Sequence, residues 1–179
     1  MDLASALRAG REDRYREILA SLPATPTTAE ALDAMYRVGR NHAPALLFDL
    51  YYARRLDDAA LAPLVHQAWT GAEWPERSLT RRTWLAWFRL AAYPRPDNPI
   101  VVYRGAPPRL ARGMAWTTDR ERAAWFANRW ITRGAHVYTA TARPEAVMAD
   151  IDALEGDGGR REAEIVVDPA LLPELRRSV

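Results

Sequence analysis

The first half of the chain places its apolar residues at the spacing of amphipathic helices. One stripe consists of Leu3, Leu7, Tyr15, Ile18, Leu19 and Leu22. The segment SLPATP, with two prolines, then ends this first helix. Thr27 and Glu30 have the spacing of a capping box, which predicts a second helix that stops near Gly39. Segments 43–56 and 57–69 predict a third and a fourth helix.

A fifth helix is predicted after Ser78 or Thr80, since either hydroxyl could cap it. Its apolar residues recur at helical spacing, and they are Trp84, Leu85, Trp87, Phe88 and Leu90. A stripe of this kind is typical of a helix face packed into a core.

The pattern changes at AYPRPDNP, residues 92–99, where prolines end the helical half. The next segment, IVVYRG, is β-branched and predicts a strand. Further predicted elements are a short AWTT strand, a helix from Asp119 to about Trp130, and strands at HVYTATA, AVMADID and IVV. Helices followed by a mainly β half predict an α+β fold, with a helical lobe at 1–95 and a β core at 96–179. We expect the lobe to pack on the core as one cooperative unit.

The amino-acid composition excludes several classes of protein and of functional site. A chain with 49% hydrophobic and 27% charged residues is typical of a soluble globular protein. No apolar run approaches the ~20 residues of a membrane span, and no export signal is visible at the start, so we expect a cytoplasmic protein without a membrane partner. The absence of cysteine excludes disulfides and thiol catalysis, and the three histidines do not have metal-ligand spacing, so no metal site is expected.

The basic residues are all arginines, 25 in number, and we interpret their abundance as a composition effect of a GC-rich coding sequence. A net charge of +2, with arginines interspersed among acids, does not indicate a nucleic-acid partner. No glycine-rich turn of the Rossmann or P-loop kind lies between a predicted strand and helix.

The segment GDGGRREAEIVVDP, residues 156–169, sets two carboxylates beside a predicted strand. Side chains alternate in a regular strand, so Glu162, Glu164 and Val166 would share one face. Like charges at this spacing repel each other, which indicates either a solvated strand end or a functional site.

Three segments of the second half resemble the arginine, serine, glutamate class of ADP-ribosyltransferases. They are VYRG with Arg104 and Gly105, AWTTDRERAAWFA with Trp116, Thr117 and Thr118, and REAEIVV with Glu162 and Glu164. The resemblance covers residues 100–168 and includes the order and the local context of the motifs. It implies a split β-sandwich of the ADP-ribosyltransferase type and NAD as the substrate.

The resemblance also implies roles for these residues. Glu164 would stabilise the positive charge that develops on the ribose when nicotinamide leaves. Glu162 would face the nucleophile, and in this family a glutamate there accompanies modification of protein arginine. Arg104 would bind phosphate and ribose oxygens, with Gly105 and Trp116 also in the NAD-binding set. Thr117 or Thr118 would hold the ribose or orient Glu164, and the GDGG turn matches the family's target-recognising loop.

The chain departs from the family pattern in two places. Trp116 replaces the leading serine of the family's Ser-Thr-Ser triplet, and it follows Arg104 by only 12 residues, a short interval for these motifs. Each motif taken singly also has a purely structural interpretation. Arg104 fits a surface arginine, Thr118 with Glu121 fits a capping box, and E-x-E fits a solvated strand end.

A transferase of this kind would act as a toxin or as a phage or host effector. Three alternatives to a transferase remain open. One is an inactive copy of the fold that serves as a binding or immunity module, and another is an NAD hydrolase of the same fold. The third is a helical interaction protein whose β half is only structural.

Overall fold

A computed structural model describes residues 3–129, 134–156 and 162–178 of the chain. The chain divides into two compact units, Met1–Ala91 and Ala92–Val179. This division falls close to the boundary predicted between the helical lobe and the β core. The expectation that the two units fold cooperatively stays a prediction.

The first unit is helical. Its described helices are α1 (Leu3–Ser21), α2 (Thr28–Val38), α3 (Ala43–Tyr52), α4 (Leu61–Gly71), α5 (Pro75–Ser78) and α6 (Arg81–Ala91). None of the helices that the structure describes combines the length and the apolar character needed to cross a membrane.

The predicted capping box at the start of α2 is confirmed. The Thr27 hydroxyl accepts from the backbone N–H of Glu30 at 3.3 Å, and the Glu30 carboxylate accepts from the backbone N–H of Thr27 at 2.8 Å. The carboxylate also accepts from the Thr27 hydroxyl at 2.8 Å, and the hydrogen bonds from the Thr27 N–H and hydroxyl lower the pKa of Glu30 below its ordinary value of 4.5. Their contribution to stability is therefore present above that value and is lost as the pH falls through the lower pKa of the folded state.

Helix boundaries differ from the predicted ones where short-range hydrogen bonds reset them. Helix α3 ends at Tyr52 rather than near residue 56, since Arg54 takes a φ of 57°. Asp57 caps a short 3-10 turn before α4 by accepting from the N–H of Ala60 at 2.9 Å. Thr80 caps α6 by accepting from the N–H of Thr83, and the preceding helix α5 was not predicted.

Arg55 fixes the break between α1 and α2. Its guanidinium donates to the carbonyls of Leu22 at 2.9 Å and Pro23 at 2.8 Å, and at longer range to those of Leu19 and Ala24. These carbonyls lie at and beyond the C-terminus of α1, where they have no partner within the helix. One planar cation therefore satisfies the acceptors of a proline-containing turn.

The predicted core face of α6 is largely confirmed. Trp84, Trp87 and Phe88 are buried, and Trp84 meets both Trp69 and Trp87 edge to face. Leu90, by contrast, is 44% exposed, so the buried stripe ends before the last turn of the helix.

Two equally buried tryptophans of α6 differ in the hydrogen bonding of their indole N–H groups. Trp84 Nε1 donates to the Pro75 carbonyl at 2.9 Å, whereas Trp87 Nε1 is buried with no partner among the described residues. We expect Trp84→Phe to lower the free energy of unfolding by about 1–2 kcal/mol more than Trp87→Phe, because only the first breaks a hydrogen bond. Urea denaturation of both variants measures the difference, and an equal or larger loss for Trp87→Phe would contradict it.

The second unit contains an antiparallel sheet with helices. Its described elements are β1 (Ile100–Ala106), β2 (Ala115–Thr117), α7 (Arg120–Arg129), β3 (His136–Ala142), β4 (Val147–Asp150), α8 (Ile151–Glu155), β5 (Glu164–Val167) and β6 (Arg176–Ser178). The strands form a sheet of order β4-β5-β2-β1-β3-β6. The fold is thus α+β, as predicted, and the two-layer division of a split sandwich stays a prediction.

Two features of this unit differ from the sequence prediction. The AVMADID segment is divided between strand β4 and helix α8, because the Asp150 carboxylate caps the helix by accepting from the N–H of Ala153 at 3.0 Å. Strand β6 was not predicted. One hydrophobic cluster of the unit includes Val102, Trp116, Tyr138, Ala140, Ile165 and Val167.

Candidate functional site

The three motif segments lie on three neighbouring strands. Strand β2 pairs with β1 on one side and with β5 on the other. In this register Tyr103 is opposite Thr117, and Thr117 is opposite Glu164. Residues directly opposite each other point to the same face of a sheet. Tyr103, Thr117 and Glu164 therefore form one cross-strand row, which we call the Thr117–Glu164 row.

Arg104 belongs to the opposite face of β1, since side chains alternate along a strand. Its backbone is opposite Tyr138 of the core. The guanidinium donates to the Leu110 carbonyl at 3.0 Å, in the connection from β1 to β2, and to the carbonyl of Ala115, the first residue of β2. The structure therefore places Thr117 and Glu164 on one face of the sheet and Arg104 on the other, whereas the resemblance implied that all three act on the same NAD molecule.

Trp116 is a core residue. Its side chain is 2% exposed and packs in the hydrophobic cluster of the sheet, and its Nε1 donates to the Gly113 carbonyl at 2.8 Å. The expected contact between Trp116 and NAD is corrected accordingly: the indole fills the core on the far side of β2 from Thr117.

Gly105 is required by packing. A Cβ at this position would lie 1.9 Å from the Ala123 carbonyl oxygen and 2.5 Å from the Ala127 nitrogen, both in α7. Residues 103 and 105 share a face, so α7 covers the same side of β1 that carries the row. The space beside Gly105 that was expected to receive NAD is filled by the helix backbone.

The Thr117 hydroxyl binds the backbone of the E-x-E segment. It donates to the Glu162 carbonyl at 2.9 Å and accepts from the N–H of Asp119 at 3.0 Å, and the residue is 5% exposed. Thr118 contributes a backbone hydrogen bond, from its N–H to the Ala163 carbonyl at 3.0 Å, while its side chain is exposed. Both threonines thus connect β2 to the glutamate segment through the main chain.

Helix α7 begins with an aspartate cap. The Asp119 carboxylate accepts from the N–H groups of Glu121 at 2.8 Å and Arg122 at 3.1 Å. The alternative interpretation of Thr118 and Glu121 as a capping box is therefore wrong, because the cap lies one residue later.

The two glutamates are not neighbours on a regular strand. Strand β5 begins at Glu164, and Ala163 before it has a φ of 48°. This left-handed residue turns the chain between Glu162 and Glu164, so the predicted alternation does not extend to Glu162. Both glutamates are half-buried.

Asp152 is a residue of this site that sequence reasoning missed. Its carboxylate oxygens accept from the N–H groups of Ala163 at 2.9 Å and Glu164 at 3.3 Å. The signal that could have found it is the helix-capping pattern of Asp150, which was hidden by interpreting the segment as a strand.

Residues 157–161, which include most of the expected target-recognising loop, lie outside the described part of the chain. Two open cavities among the described residues, of about 410 and 280 Å³, lie in the helical unit; the first is lined by residues 21–23, 29, 30, 33 and 37, and the second by residues 25–28, 55–57, 59 and 60. No residue of β1, β2 or β5 lines either cavity. Among the described residues, no group of three or more His, Asp or Glu side chains is arranged to hold a metal ion.

Comparison of the chain with models of protein families, with curated proteins and with solved structures gives no match. The resemblance to ADP-ribosyltransferases therefore depends on the sequence motifs alone.

Proposed function

We propose that the chain is an NAD-dependent mono-ADP-ribosyltransferase whose acceptor is a macromolecule, with a protein arginine as the leading candidate. The observation that carries this proposal is the adjacency of the three motif strands, with Thr117 directly opposite Glu164. A sheet that was only structural would not require these separate motifs to lie on adjacent strands in the middle of the strand order. The sheet is, in this proposal, the core of an ADP-ribosyltransferase-like split sandwich.

The proposed reaction breaks the bond between nicotinamide nitrogen and ribose. Nicotinamide leaves with the bonding electron pair, and positive charge develops on the ribose, where the Glu164 carboxylate stabilises it. An arginine nitrogen of the acceptor then forms the new bond to the ribose carbon. Glu162 accepts the proton that this nitrogen releases.

The other motif residues take supporting roles in this proposal. Arg104 holds β2 and the segment before it in place by donating to the Leu110 and Ala115 carbonyls. Thr117 holds the E-x-E segment through the Glu162 carbonyl. The exposed Thr118 side chain at the end of β2 is then the hydroxyl offered to the ribose.

Incubation with NAD labelled in its adenylate half tests the proposal. Label covalently attached to protein, with release of nicotinamide, is the expected result. Label found only in free ADP-ribose would identify an NAD hydrolase. Intact NAD after incubation with a range of protein acceptors would contradict the proposal and favour an inactive binding module.

Replacement of Glu162 by glutamine is expected to separate the two activities of the site. Transfer to the acceptor should fall strongly, whereas the slower hydrolysis of NAD should be largely kept, since water needs less positioning than a guanidinium. The ratio of labelled protein to free ADP-ribose measures the effect. Glu174→Gln is a matched control, because Glu174 is an exposed glutamate outside the motif segments. An unchanged ratio in Glu162→Gln would contradict the assigned role.

A further inference from the structure

The turn between the two glutamates is held by a carboxylate from another element of the fold. We propose that Asp152 is a positioning residue of the site, which sets the direction of the Glu164 side chain by fixing the backbone at Ala163. This inference rests on the proposed function for its catalytic consequence. Its structural half can be tested without NAD.

Ala163 needs such support, because its conformation is unfavourable for a residue with a Cβ. Its φ of 48° lies in the left-handed region, which alanine seldom adopts. A residue of this kind persists only when the surrounding structure overdetermines it. The chain has alanine here and not glycine, so contacts with other segments must supply the preference.

The hydrogen bonds around Ala163 come from two directions. On one side the Asp152 oxygens accept from the N–H of Ala163 at 2.9 Å and from the N–H of Glu164 at 3.3 Å. On the other side the Ala163 carbonyl accepts from the N–H of Thr118 at 3.0 Å. The two N–H groups bound by Asp152 lie before and after the Cα atom of Ala163. Asp152 is therefore the group that fixes the backbone dihedral angles of Ala163.

Helix α8 places Asp152 for this contact. Its first residue, Ile151, is buried. Asp150 is also opposite Ile165, because β4 pairs with β5. The carboxylate is thus attached to a helix that begins directly at the strand beside Glu164, which gives it little freedom to move.

Asp152→Asn tests the positioning role with the smallest change of shape. Asparagine has one acceptor oxygen, so it can satisfy only one of the two N–H groups and presents an NH₂ group to the other. We expect turnover of NAD to fall by about 10- to 100-fold with the KM for NAD nearly unchanged, as for other groups that orient a catalytic residue. A rise in KM with unchanged turnover would overturn the proposal.

A double variant distinguishes positioning from a general loss of structure. If Asp152 acts through Glu164, Asp152→Asn should cause little further loss in a Glu164→Gln background. Ala163→Gly should restore part of the activity of Asp152→Asn, since glycine adopts the left-handed conformation without strain. Full additivity of the two losses, together with no rescue by glycine, would refute the positioning role.

Asp150→Ala is the matched control. It removes the cap of α8 and leaves the bonds from Asp152 to the turn in place. Turnover in this variant should stay within a factor of a few of the wild type. A loss as large as that of Asp152→Asn would mean that only the integrity of α8 matters, which would overturn the proposal.

Amide NMR tests, without any NAD, whether Asp152 fixes the backbone at Ala163. In Asp152→Asn the amide resonances of Ala163 and Glu164 should move strongly, while those of the Met1–Ala91 unit stay in place. Unmoved resonances at both positions would overturn the inference. A wild-type chain that leaves NAD intact in the presence of acceptors would instead refute the proposed function, with the hold on the turn still decided by these resonances.

Discussion

Replacement of Glu164 by glutamine is expected to reduce the turnover of NAD by about 10²- to 10³-fold, or about 3–4 kcal/mol of activation free energy. Glutamine keeps the shape and most of the hydrogen-bonding capacity of the side chain, but it removes the negative charge that, in the proposed mechanism, faces the developing cation. Because cleavage of the nicotinamide bond precedes both outcomes, transfer and hydrolysis should fall together. Initial rates of nicotinamide release and of label transfer measure the two losses.

The control for this prediction is the fold of the variant. Glu164 is the first residue of β5 and pairs with Thr117 through the backbone, so the substitution should leave the thermal transition nearly unchanged. Full activity in a folded Glu164→Gln protein would refute the mechanism. Equal losses of both activities in Glu162→Gln and in Glu164→Gln would indicate a shared structural role.

The Gly105→Ala variant is expected to lose about 3 kcal/mol or more of its free energy of unfolding. The new Cβ would lie 1.9 Å from a carbonyl oxygen of α7, and a backbone atom in a helix cannot move aside as a flexible side chain can. Either α7 shifts away from β1 or the strand distorts, and both changes lose packing. Chemical denaturation followed by circular dichroism measures the cost.

Gly10→Ala is the matched control for Gly105→Ala. Gly10 lies within α1, and a Cβ there would meet no atom within 4 Å. Alanine should be neutral or stabilising by about 0.5–1 kcal/mol, since it is the better helix former. A loss below about 0.5 kcal/mol in Gly105→Ala would contradict the close approach of α7 to β1.

Local signals in the sequence were sufficient for the parts of the fold that local interactions decide. The capping box of Thr27 and Glu30 and the apolar face of α6 predicted two helices correctly. The prolines at 92–99 marked the change from helices to strands. These features depend on residues a few positions apart, for which spacing alone is informative.

Contacts between distant segments decided the features that were predicted wrongly. Nothing within residues 162–164 indicates that Ala163 adopts a left-handed conformation, since its hydrogen-bond partners come from α8 and from the end of β2. The alternation expected for Glu162 and Glu164 failed for this reason. The division of AVMADID into β4 and α8, by contrast, follows from a local signal, the Asp150 cap on the N–H of Ala153, which the interpretation of the segment as a strand overlooked.

The sequence was also insufficient to predict which side of the sheet each motif residue faces. The sequence identified the VYRG segment, but only the register shows that Tyr103, and not Arg104, is in the row with Thr117 and Glu164. One residue of displacement along a strand exchanges the two faces. Arg104 consequently serves the β1–β2 connection in place of the expected NAD contact.

Composition gave an incomplete account of the arginines. Attribution of their number to coding bias does not explain why Arg55, Arg104 and Arg112 each donate to two or more backbone carbonyls. Arg112, for example, donates to the carbonyls of Pro169 at 3.2 Å and Pro173 at 3.1 Å. The planar guanidinium with its five N–H donors can bind several carbonyls of a turn at once, where these have no partner in a helix or sheet. The single ammonium group of lysine could not make the same set of hydrogen bonds.

Amide NMR of the Glu164→Gln protein during titration with NAD tests the central claim most directly, because slow turnover keeps the nucleotide intact while spectra are recorded. We expect the largest resonance shifts at Thr117, Thr118 and residue 164, in a saturable titration, with the resonances of the Met1–Ala91 unit little changed. Shifts confined to that helical unit, or no shifts at millimolar NAD, would contradict the assignment of the Thr117–Glu164 row as the site where NAD binds and is cleaved.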